Sequence, residues 1–97
     1  MIEGKTRTGF KFKIDERATK DWRIVEGIKK VSSRNYDELA EGISSIVDLL
    51  LGDDKDRLMS HVQKNNDGFI PVDELEKELS DIIAGANQVK NSQSSPE

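Results

Sequence analysis

The chain has 97 residues, 34% of them hydrophobic and 35% charged, with no cysteine. That length fits one small domain with a modest core under a charged surface, and it excludes disulfides and thiol chemistry. No apolar run reaches the roughly 18 residues of a membrane helix, and the start, Met-Ile-Glu-Gly-Lys, has no signal-peptide stretch; a soluble protein is expected.

The net charge of −4 conceals an asymmetry. Residues 1–34 carry ten Lys/Arg against five Asp/Glu, and residues 35–97 carry five against fourteen. A chain with such opposed halves can pack them together or stack with copies of itself, so a homo-oligomer is a possible state.

Phe10-Lys11-Phe12-Lys13-Ile14 alternates between apolar and basic, the period of a half-buried strand with Phe10, Phe12 and Ile14 facing inward. A single strand leaves its backbone groups unmet. It needs residues 2–7 in a hairpin, or a strand from another chain. From Asp15 the pattern turns helical: Ala18, Trp22, Val25 and Ile28 form one apolar stripe, predicted to face the core. Asp15 or Thr19 can cap this helix, and Ser32-Ser33 ends it.

Asn35 followed by Glu38 resembles a capping box and opens a second helix. Leu39, Ile43, Ile46 and Leu50 line it, widened by Tyr36, Ala40, Val47 and Leu51, and Gly52 ends it in a left-handed conformation. Asp53 or Asp54 is predicted to cap a third helix bearing Leu58, Met59 and Val62. Lys64 to Gly68 breaks it, being rich in turn formers. Pro71 suits the first turn of a fourth helix, whose apolar face is Val72, Leu75, Leu79, Ile82 and Ile83. The expected fold is α+β and mostly α: a short N-terminal strand or hairpin, then about four helices. The domain spans 1–86, and residues 87–97, polar and low in complexity, are expected to be a disordered tail.

The sharpest local signal is the stretch from Gln63 to Glu74, which lies between two helices like the calcium loop of an EF-hand. With Gly68 as the turn glycine, Gln63, Asn65, Asp67 and Glu74 fall on ligand positions. Calcium needs several hard oxygens; here the first position is an uncharged Gln and Pro71 sits in the ninth. No metal site is assigned, and a degenerate, calcium-responsive or small regulatory binding protein is the alternative reading. His61, the single histidine, has no partner at ligand spacing and reads as helix surface. The serines lack a nucleophile elbow, and the glycines lack phosphate-loop spacing. No catalytic or cofactor-binding residue is assigned, and the protein reads as a binder, not an enzyme. Phe10, Phe12 and Trp22 among basic residues could stack on single-stranded nucleic acid. Their periodicity turns them inward, and the acidic remainder repels phosphate.

Taken in order, a strand leading into Asp21-Trp22-Arg23-Ile24-Val25-Glu26, then Leu49 to Lys55, Leu58-Met59-Ser60-His61, Asp67 to Pro71, and Lys90 to Pro96 resemble the tail assembly chaperones of long-tailed, siphovirus-type phages and prophages of Gram-positive bacteria. The resemblance implies a non-enzymatic protein of the host bacterial cytoplasm. Such a protein binds the tape-measure protein, aids recruitment of tail-tube subunits, and is absent from the finished virion. It implies a second, frameshifted form, with which an A-rich codon pair at Lys90-Asn91 is compatible. It carries over no site residue.

Overall fold

The computed structural model describes residues 1–94. Two strands, β1 (Ile2–Lys5) and β2 (Lys11–Ile14), precede a 3₁₀ turn at Glu16–Lys20 and four helices: α1 (Trp22–Val31), α2 (Tyr36–Leu51), α3 (Lys55–Asn65) and α4 (Val72–Ser94). The architecture is the expected α+β, mostly helical one.

The strand finds its partner within the chain. β1 and β2 pair antiparallel, with Ile2 opposite Ile14 and Gly4 opposite Phe12 on the inner face, and Glu3 opposite Lys13 and Lys5 opposite Lys11 on the outer one. The Thr6 backbone N–H donates to Phe10 O at 2.9 Å, and the Phe10 N–H donates to Thr6 Oγ1 at 3.1 Å, which closes the turn. Phe10, Phe12 and Ile14 are all buried. Two glycines make room for Phe12: a Cβ on Gly4 would lie 2.5 Å, and one on Gly85 of α4 3.0 Å, from the end of its ring. The hairpin therefore packs on α4 at close range.

The helix predicted from Asp15 is split. Asp15 and Asp21 each accept a hydrogen bond from the backbone N–H two residues on, so each acts as an N-cap, and Asp21 is extended (φ −70°, ψ 139°). Two competing caps six positions apart start two helical segments where the spacing predicts one. The stripe is misplaced as well. Trp22, Val25 and Ile28 are exposed, while Ile24 and Gly27 are the residues α1 buries.

α2 forms the centre of the core, burying Ile43, Ile46, Val47, Leu50 and Leu51. Asn35 caps it, its Oδ1 accepting from the N–H groups of Asp37 (2.8 Å) and Glu38 (3.2 Å). The box does not close on itself: Ser33 Oγ accepts from the Asn35 N–H and donates to Glu38 Oε1, standing between them. Gly52 has positive φ, as predicted. Asp53 and Asp54 form a 3₁₀ turn and make no side-chain cap on α3.

α3 buries Leu58 and Val62 against the core, and α4 buries Leu75, Glu78, Leu79, Ile82 and Ala86. Helix α4 extends to Ser94. Residues 95–97, the end of the expected tail, lie outside the described residues.

Candidate partner-binding surface

Two features stand out: an apolar surface on the helices and a polar cluster joining the hairpin turn to α3 and α4.

The apolar surface begins on α1. Trp22 is 68% exposed, and Val25 and Ile28 follow it at helical spacing, 50% and 43% exposed. Ile28 continues into a groove of about 400 Å³ between α1, α2 and α4, with Val31, Ile46, Leu79 and Ile83 along its walls. A second groove, of about 270 Å³, runs between α2, α3 and the start of α4 past Leu39, Ile43, Met59 and Leu75, with Tyr36 and Val72 at its rim. Phe69 and Ile70, in the loop before α4, are exposed too. Single exposed apolar residues are ordinary, whereas a run of them joined to apolar grooves is the kind of surface on which another protein can dock.

Why this stripe faces outward is visible in the packing of α1 on α2. A Cβ on Gly27 would lie 2.7 Å from Ile46 Cγ1, and one on Gly42 would lie 2.6 Å from the Gly27 carbonyl oxygen. The helices approach through their glycines. The side of α1 that carries Gly27, with Ile24 and Val31, is thereby committed to α2, and Trp22 and Val25 lie on the opposite side. Lys30 Nζ holds Glu41 Oε1 at 3.1 Å beside this seam. A reading that scores large side chains misses this, because the residue that decides the orientation has none.

The polar cluster joins residues far apart in sequence. Thr8 Oγ1–H donates to Glu78 Oε2 at 2.7 Å and lies 2.8 Å from His61 Nε2. A hydroxyl has one proton, and here it is spent on Glu78. The Asn65 amide lies 3.2 Å from the same nitrogen, and the imidazole rests on Phe10 with centroids 5.5 Å apart. His61, predicted as free helix surface, is thus tied into the fold. The order of groups differs from a hydrolytic triad, in which the base stands between nucleophile and orienting carboxylate. Here the hydroxyl stands between histidine and carboxylate, and its proton faces away from the histidine. Next to it, Arg7 grips Asp81 through its backbone N–H (3.0 Å) and its guanidinium (3.0–3.1 Å). Hydrogen bonding to Arg7 holds the Asp81 carboxyl below its ordinary range.

The calcium-like loop is occupied by its own backbone. Gly68 N–H donates to Gln63 O at 2.8 Å, Asp67 has φ +56°, and Gly68 has φ +89°. This is the bond pattern that terminates a helix through a left-handed residue. Gln63 Nε2 donates to Gly68 O, and Asn66 Nδ2 to Val62 O, so the loop amides close α3. Among the described residues no three His, Cys, Asp or Glu side chains are grouped to hold a metal ion. Phe10 and Phe12, considered above for stacking on bases, are core residues.

Among the described residues no helix is long and apolar enough to cross a membrane. No family model, no curated protein and no solved structure matches this chain.

Proposed function

We propose that this protein is a tail assembly chaperone of a long-tailed phage or prophage, working in the host cytoplasm through protein–protein contacts and not through catalysis. Its partner is the tape-measure protein, with tail-tube subunits as a further one. The observation that supports the reading is the outward stripe of Trp22, Val25 and Ile28, continuous with the groove beside α4. A long helical protein awaiting assembly exposes apolar faces, and an amphipathic helix lies naturally in such a groove. Aromatic anchors of this kind carry most of the energy of a protein contact.

The test is co-expression with the tape-measure protein encoded by the same phage. The two are expected to co-purify, and Trp22→Glu with Val25→Glu is expected to abolish retention while leaving the helical circular-dichroism spectrum unchanged. No retention of the wild-type chain, or full retention of the double variant, overturns the proposal.

A further inference from the structure

The cavity between the hairpin turn, α3 and α4 measures about 430 Å³ and is lined by Thr8, His61, Asn65, Asn66, Glu74 and Glu78, with no lysine or arginine on its walls. Glu78 is only 4% exposed. Its Oε2 takes the Thr8 hydroxyl proton, but Oε1 is buried with no hydrogen-bond partner among the described residues. A buried carboxylate oxygen without a donor is unusual, because burial removes the water that would otherwise satisfy it. Something carrying N–H or O–H groups and positive charge fits what this cavity lacks.

A divalent metal is a poor match. Calcium takes six to eight oxygens and magnesium a strict octahedron, and among the described residues no cluster of three or more acidic, histidine or cysteine side chains is placed to supply them. A primary ammonium needs less: three acceptors around three N–H groups. Glu78 Oε1 is one. The Glu74 carboxylate is a second; it lines the cavity and shares its charge with Lys77 at 3.2 Å. Asn66 spends its Nδ2 on Val62 O, leaving Oδ1 as a third.

We propose that this cavity binds a primary ammonium group, with Glu78 as its main counter-charge and Glu74 and Asn66 completing the acceptors. Glu78 lines the cavity, and its buried Oε1 becomes an acceptor for the ammonium when the carboxyl turns about its terminal torsion, which is broad and soft. Thr8, itself paired with His61, bonds the other carboxyl oxygen. The group's source is either a lysine side chain or a small free amine. The site is independent of the tail-chaperone reading, because it lies on other residues.

The experiment is an amide NMR titration of the whole chain with methylammonium chloride. Tetramethylammonium chloride, which has the charge but no N–H, serves as reference at equal ionic strength. Saturable shifts are expected at Thr8, His61, Asn65, Asn66, Glu74 and Glu78 with methylammonium and not with the reference. Glu78→Gln is expected to weaken binding about tenfold or more, and Glu74→Gln to weaken it less. Should Glu78→Gln fail to fold, Glu74→Gln decides. Putrescine and an Nα-acetylated lysine amide then separate the sources, the tighter binder naming the physiological one. The proposal is overturned by unsaturable shifts, by equal shifts with tetramethylammonium, by a Glu78→Gln variant that binds like wild type, or by calcium chloride shifting the same amides at lower concentration.

Discussion

The Gly27 carbonyl oxygen lies where a Cβ on Gly42 would come within 2.6 Å of it, so the crossing of α1 and α2 has no room for a side chain at either glycine. Gly42→Ala therefore has to push the helices apart or strain them, as overpacked core positions do. The expected loss is about 1–3 kcal/mol of unfolding free energy, read from the urea midpoint with unchanged slope. Because alanine is the better helix former, a loss here isolates the packing term. A neutral or stabilising result would show that the seam is looser than described.

The same crossing makes Trp22 dispensable for folding. Its side chain is 68% exposed, and surface substitutions of this kind stay within about 0.5 kcal/mol. Trp22→Ala is expected to unfold at the wild-type midpoint. The folded wild-type protein should show red-shifted indole emission and ready quenching by acrylamide. A blue-shifted, protected indole would mean that Trp22 is covered, by this chain or by another copy.

Glu78 offers a double-mutant cycle. Thr8→Val removes the one donor that the structure gives its carboxylate, and leaving a buried acceptor unmet costs about 1–3 kcal/mol. In the background of Glu78→Met, where no buried charge remains, Thr8→Val should cost much less. Replacing both partners of a buried polar pair by apolar groups is often close to neutral. Equal effects of Thr8→Val in the two backgrounds would show that the bond does not hold the turn to α4.

Acid stability follows from the aspartates. Hydrogen bonds from Arg17 and Arg23 lower Asp15 and Asp21 to about 2, and Arg7 lowers Asp81. A carboxyl lower in the folded than in the unfolded state binds its proton less readily when folded. Its stabilisation is thus present above the ordinary value near 4 and is lost as pH falls from there toward 2. Asp15→Asn with Asp21→Asn keeps a capping oxygen at each site but removes the titration. The double variant should lose less stability than wild type over that pH window, as followed by thermal melts. Parallel melting profiles would show that these pairs do not contribute.

Much of the fold was legible in the residues. The alternation from Phe10 to Ile14 specified a strand with its correct inner face, and the stripe of α2 included every large apolar residue that helix buries. Asn35 marked the start of that helix and Gly52 its end. The calcium-like spacing was legible as well, together with its defects, and the loop serves as a helix terminator. The polar cluster was not legible. Thr8, His61 and Glu78 stand 53 and 70 residues apart in the relevant pairs, and nothing local marks a threonine as the partner of a distant histidine. A glutamate at position 78 on the apolar side of α4, between Leu75 and Leu79, was the one available hint: a charge on a buried face needs a partner.

The sequence by itself determined the N-terminal strand and both ends of α2, since caps, turn formers and hydrophobic period act over a few residues. Tertiary structure decided which side of α1 faces in. Periodicity ranks faces by large apolar side chains, whereas close helix contact selects for the absence of a side chain, and Gly27 against Gly42 won that competition. The exposure of Trp22, Val25 and Ile28 follows from that choice.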